Sequence, residues 1–225
     1  MPITYTTLEE MVGDFLEEEG TKPASDWVRY IQALRQKGIK WAEMQMLRHL
    51  PDHDCRNLIY TEGIATDASG VIITTELAPA GEEKFFGVVD IYNTSLTPDT
   101  HFVEIPFSQL RFKDNRNYDY GHYWYYAAST HTGVGEVRQI QLKASVDADY
   151  KSVTDSNLFM TYKVMPSSYQ GNFGAVKVPF ERNEELAAKG AAGYVFKAEG
   201  DPRAENLLQE FYQEIGISDD STRRS

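Results

Sequence analysis

The chain has 225 residues, 41% of them hydrophobic and 12% aromatic, so it can bury a core without a metal or disulfide staple. Its single cysteine, Cys55, excludes an internal disulfide and fits synthesis in the cytosol. The formal charge is −12, which argues against nucleic-acid binding, because that affinity comes largely from Lys and Arg neutralising phosphates.

The acidic excess is spread along the chain: residues 1–56 carry 10 acids and 7 bases, 57–180 carry 14 and 9, and 181–225 carry 10 and 6. The opening MPITYTTLEEM lacks the basic and apolar regions of a signal peptide. No apolar run approaches the roughly 18 residues that span a bilayer. The expected product is soluble.

Three helices are predicted in the first fifty residues. Thr7-Leu8-Glu9-Glu10 has the form of a capping box, and Leu8, Met11, Val12, Phe15 and Leu16 recur at helical spacing, giving a helix from Leu8 to Glu19 that stops at Gly20. Ser25 or Asp26 caps a second, with Trp27, Tyr30, Ile31 and Leu34 on its stripe and Gly38 as its stop. A third carries Trp41, Met44, Leu47 and Leu50 and ends at Pro51.

His49, Asp52, His53, Asp54 and Cys55 follow closely and could ligate zinc. Pro51 lies between the two histidines, so they cannot share a helix face as an H-x-x-x-H pair would, and a polar connection is the better reading.

From Asn57 the period changes to two. LIYTEGIAT, GVIITTEL, FFGVVDIYN, HFVEIPF, HYWYYAAS, EVRQIQLKA and NLFMTYKVM read as seven strands between turn-forming clusters such as TDASG and NTSLTPDT. That spacing predicts an antiparallel sandwich or barrel. Gly133 and Gly135 begin a dinucleotide-like pattern, but Arg138 replaces the third glycine and a strand follows, so they are read as a hairpin turn.

Between Tyr118 and Tyr126 lie five tyrosines, Trp124 and His122. At period two, His122, Trp124 and Tyr126 face one way and Tyr123 and Tyr125 the other, so a strand here is covered on both faces. Asp114, Arg116 and Asp119 nearby are mixed in charge, which disfavours base stacking. Core packing with a subunit or partner interface at Tyr120, Tyr123, Trp124 and Tyr125 is the preferred reading. A carbohydrate- or receptor-binding platform, with Trp124 exposed, is the alternative.

Helical pattern returns in NEELAAKGAAGYVFKA, where Gly190 and Gly193 suggest close helix approach. Asp201 and Pro202 then open a last helix with Leu207, Leu208, Phe211 and Ile215 on its stripe and Gly216 as its stop. The expected fold is α+β: terminal helices (1–56 and 181–216) packed as a small bundle, a β-rich insertion (57–180) and a tail at 217–225. The chain carries no nucleophile elbow and no Walker A sequence, and its five histidines are scattered. The expectation is a non-enzyme, with no catalytic, cofactor or metal residue assigned. A hydrolase built on His122 or His131 is the remaining enzyme reading.

One match goes beyond periodicity. LFMTYKVMP, with Leu158, Tyr162 and Pro166, leads to an extended segment with Pro179 and a helix holding Leu186, Ala187, Ala191 and Ala192; a final helix ends with Tyr212 and Ile215. With the early helix WVRYIQAL, this order resembles the head-to-tail adaptor (connector, or head-completion) proteins of tailed bacteriophages. The resemblance touches about a third of the chain. It implies a ring, usually dodecameric, in the neck of the virion beneath the portal protein, with a tail hub or nozzle protein below. DNA would only pass through the channel, and no membrane is involved. It also implies that Phe211, Tyr212, Ile215, Ile217 and the tail to Ser225 dock on the portal.

Overall fold

A computed structural model describes residues 3–16, 25–67, 70–73, 85–94, 100–105, 122–132, 135–146, 149–152 and 157–217. The chain is a mixed α+β protein that divides into two compact units, Met1–Leu58 together with Met165–Ser225, and Ile59–Val164.

The first unit contains α1 (Tyr5–Phe15), α2 (Ser25–His49), α3 (Glu184–Glu199) and α4 (Arg203–Glu214). Helix α1 starts earlier than the capping-box pattern predicts. Thr4 is the N-cap, and its hydroxyl accepts from the Thr7 amide, so the threonine expected to cap lies inside the first turn. The burial of Tyr5, Leu8 and Val12 sets this frame. The expected end near Gly20 lies outside the described residues.

The expected second and third helices are one continuous helix, α2. Gly38 is no stop. A Cβ placed there would lie 2.6 Å from the carbonyl oxygen of Ala191, so the glycine marks where α2 crosses the backbone of α3. Tertiary contact overrides the local propensity of glycine to end a helix.

Helix α3 is buried nearly all round, through Leu186, Ala187, Ala188, Gly190, Ala191, Ala192, Gly193, Val195 and Phe196. It packs against α1, α2 and α4. Added Cβ atoms would lie 2.6 Å from the Phe211 ring at Gly190 and 2.8 Å from Leu208 at Gly193, so the small residues are notches for α4. The N-cap of α4 is Pro202, one residue later than expected, and Asp201 just ahead of it accepts from the Arg203 amide at 2.9 Å. Helix α4 then buries Ala204, Leu208 and Phe211.

The segment Met165–Phe180 belongs with the helices, although the sequence reading places it in the β-rich block. Backbone pairing explains why. Tyr5 donates to Val176 at 3.0 Å, Thr6 to Gly174 at 3.1 Å, and Val178 to Ile3 at 2.9 Å, which zips this segment to the start of the chain.

Among the described residues the second unit holds nine strands: β1 (Ile59–Ile64), β2 (Val71–Ile73), β3 (Phe85–Asn93), β4 (Thr100–His101), β5 (Val103–Glu104), β6 (His122–Thr132), β7 (Gly135–Val146), β8 (Asp149–Ser152) and β9 (Leu158–Val164). One sheet has the order β1-β9-β3-β4. The other runs β2-β7-β6-β5, with β8 also on β7. On β9, Leu158, Met160, Tyr162 and Val164 are buried and the residues between them are half-buried, the alternation the sequence predicts.

The expected single strand HFVEIPF is instead a corner. His101 ends β4 in the first sheet and Val103 begins β5 in the second. Between them Phe102 is buried and donates its amide to Ile91 at 2.8 Å. The β5–β6 pairing is parallel, a departure from the all-antiparallel expectation. Strands β6 and β7 form a hairpin paired from His122↔Ala144 to Thr132↔Gly135, as the glycines suggest. Polar β8, sequence DYKS, has no apolar alternation to reveal it.

Candidate functional site

The residues named for portal docking separate into two kinds. Phe211 is fully buried and Ile215 is 3% exposed, so both are core. Tyr212 and Ile217 are half-buried at the surface. The physical reason is the notch at Gly190, which draws the Phe211 ring inward and rotates its neighbour Tyr212 outward.

Tyr212 does not stand alone. Its ring meets Trp41 edge-on at 6.1 Å, and Trp41 also packs on Tyr194 and Phe211, each at 5.6 Å. Trp41, Tyr194 and Tyr212 are all half-buried. They gather one ring from each of α2, α3 and α4 into a patch built by both ends of the chain. Burial pushes the Tyr212 phenol upward. Between α3 and α4, the Lys189 ammonium holds Glu214 at 2.6 Å and Glu210 at 3.3 Å, and the hydrogen bond to Glu214 raises its proton affinity. Gly216, at φ +81°, turns the chain after α4, and the Ile217 amide closes the turn on the Tyr212 carbonyl at 2.8 Å.

The sequence reading placed Trp41 on a core stripe and did not single out Tyr194. The available signal was a large ring directly following the Gly-Ala-Ala-Gly run of α3.

In the β unit, Tyr123 is fully buried and Trp124 is 3% exposed. They project to opposite faces of β6, so both faces are covered. Tyr125 and Tyr126 are half-buried, and burial raises the Tyr125 phenol. The rings pack along each face, Tyr123 stacked on Tyr125 at 6.3 Å and Trp124 edge-on to Tyr126 at 5.2 Å. A sugar platform needs Trp124 at the surface, and here it offers none. Tyr120 lies outside the described residues. His122 is half-buried with its ring edge against Phe102, and the side chain of His131 is not described.

The sequence did not single out an aromatic row on the first sheet. Phe159 stacks on Tyr92 at 5.6 Å, Tyr92 packs on His101 at 5.6 Å, and His101 Nδ1 lies 2.8 Å from Asp90. Phe159 pairs across to Gly63 and leans over it. The row ties three strands together.

The His49–Cys55 segment does not converge. Cys55 is buried, whereas the His53 side chain is 71% exposed and lies 3.5 Å from Asp54. Burial and the neighbouring Arg48 lower the proton affinity of His49. Among the described residues no three His, Cys, Asp or Glu side chains form a group that could hold a metal ion.

Among the described residues one carboxyl is wholly inside the helical unit. Glu43 on α2 is 0% exposed. Tyr5 donates its hydroxyl to Glu43 Oε1 at 2.8 Å, and Ser168 donates its hydroxyl to Oε2. Burial pushes the carboxyl up to about 7, against the pull of the Ser168 and Tyr5 hydrogen bonds. Burial and the adjacent Glu43 drive the Tyr5 phenol upward. The sequence reading passed over Glu43; the apolar neighbours Trp41, Ala42, Met44, Met46 and Leu47 on all sides of the helix were the available signal.

No known protein-family model matches the chain, and no curated protein matches it in sequence.

Proposed function

We propose that the protein is a structural part of a virion: a head-to-tail adaptor that forms a ring between the portal protein and the tail of a bacteriophage. The observation that carries this reading is the patch of Trp41, Tyr194 and Tyr212, half-buried rings supplied by helices from both ends of the chain. Large, stiff rings at a surface suit a contact that forms on assembly, because they bury much area for little lost side-chain freedom. The order of elements, with helices at both ends and β strands between, supports the family resemblance.

In this reading the terminal helices form a small bundle, and the two sheets are the layers of an inserted sandwich with Thr100–Ile105 as its corner. Copies of the chain meet head to tail around the ring, so each presents two different faces. The portal docks on the helical unit at Tyr212 and Ile217, and the tail hub or nozzle joins below. The acidic charge lets DNA pass without adhering to the channel.

Negative-stain microscopy tests the proposal. Micromolar protein mixed with purified portal should give rings seated on portal particles, and Tyr212→Ser should weaken that binding at least tenfold. Absence of both ring and portal complex for the native chain overturns it.

A further inference from the structure

The Glu43 cluster joins three parts of the chain that are distant in sequence. Tyr5 comes from α1, Glu43 from the middle of α2, and Ser168 from the single turn of 3₁₀ helix over Ser167–Gln170. Tyr5, Glu43 and Ser168 are each 0% exposed. Two hydroxyls therefore meet one carboxyl where water does not reach.

The charged groups nearby are committed elsewhere. Besides burial, only Ser168 and Tyr5 act appreciably on the ionisation of Glu43. One turn earlier on α2, the Lys40 ammonium lies over the Phe173 ring at 5.5 Å, and that ring packs edge-on against Tyr5. Where α1 meets α2 further along, Glu9 accepts from Gln36 at 3.0 Å and acts on the Arg35 guanidinium. On α3, Lys189 is held by Glu210 and Glu214. Thus none of α1, α2 and α3 offers Glu43 a salt-bridge partner among the described residues.

A carboxylate buried without a cation costs several kcal/mol in desolvation, and hydroxyl donors return only part of it. The neutral acid has no such cost. It keeps both contacts, because a carboxylic acid can accept from Tyr5 at one oxygen and donate its own proton from the other to the Ser168 hydroxyl oxygen.

We propose that Tyr5, Glu43 and Ser168 form a protonation-controlled latch, which clamps α1 and the Ser167–Gln170 turn onto α2 while Glu43 is neutral and loosens them once it ionises. The parts freed together are those already zipped by the Tyr5–Val176 and Val178–Ile3 backbone bonds. The direction follows from linkage. The carboxyl is raised from its ordinary 4.5 to about 7, so its contribution is complete below about pH 4.5 and lost as pH rises to about 7.

Hydrogen exchange of the full chain, corrected for the intrinsic pH dependence of exchange, reads the latch directly. Protection of amides in residues 5–12 and 166–178 should fall about tenfold per unit between roughly pH 5 and 7 and level off above. In Glu43→Gln, whose amide keeps both contacts, the same amides should show no such slope and should retain the protection of the native chain at low pH. An equal slope in both proteins overturns the latch. If the variant does not fold, the native chain still decides. The Glu43 carboxyl carbon, assigned by through-bond correlation to its own amide, should titrate near pH 7, and titration in the ordinary carboxylate range overturns the proposal.

Discussion

The helical unit and the β unit solve the packing problem in opposite ways. In the helical unit the critical positions are empty: Gly38, Gly190 and Gly193 admit a carbonyl, a ring and a leucine where a methyl would collide. In the β unit the critical positions are full, with Tyr123, Trp124, Ile140 and Leu142 buried along one hairpin. A helix interface is limited by how closely two backbones can approach, whereas a pleated sheet keeps its spacing and is limited by how well large side chains fill it. Among the described residues the carboxyl groups divide in the same way. The helical unit encloses a carboxyl, while the β unit ties Tyr162 to the half-buried Glu62 at 2.8 Å.

The largest expected effect is in the β unit. Trp124→Ala should cost about 4 kcal/mol, since it removes the largest ring of a filled core, and the urea midpoint reports it. Retention of native stability would show that the hairpin is held by its backbone pairing alone.

Ionisation of Glu43 comes next. Between about pH 4.5 and 7 the native chain should lose on the order of 3 kcal/mol relative to Glu43→Gln. Urea unfolding of both proteins at pH 5 and pH 8 measures this, and a constant difference would mean that the helical unit tolerates a buried carboxylate as easily as an amide.

A paired glycine test sharpens the contrast. Gly38→Ala places a methyl 2.6 Å from the Ala191 carbonyl and should cost about 2 kcal/mol, despite the better helix propensity of alanine. Gly63→Ala meets nothing nearer than 3.8 Å, on Phe159, and should change stability by less than about 0.5 kcal/mol. Equal costs would erase the distinction between the units.

The smallest effect is expected at Arg182, which holds φ at +74° ahead of α3. Arg182→Gly should stabilise the helical unit by about 1 kcal/mol. A thermal scan showing a lower Tm would mean that the arginine side chain, and not its backbone, matters there.

Legibility varied with the range of the interaction concerned. FFGVVDIYN coincides with β3 and LFMTYKV with β9, because β-branched and aromatic content and, on β9, alternation are local signals. Asp201 and Pro202 were legible as the opening of α4 for the same reason. Gly38 was misread because a stop and a crossing point look identical until α3 is present. Phe211 and Tyr212 are adjacent, and only the notch at Gly190 decides which one turns inward. Trp41 and Tyr194 joined the candidate patch only in three dimensions, and Glu43 had no local mark of its role.

By itself, the sequence determined the kinds of element, most of their positions, the mixed α+β class and the two-faced character of the strand at Tyr123 and Trp124. Periodicity suffices for these, since each side chain's direction follows from its own backbone. The tertiary structure decided the division at Leu58 and Val164, the merging of two helices at Gly38, the splitting of one strand at Phe102 and the enclosure of Glu43 by Tyr5 and Ser168. Each of these depends on a partner distant in sequence, whose approach changes the cost of a conformation that is locally open to choice.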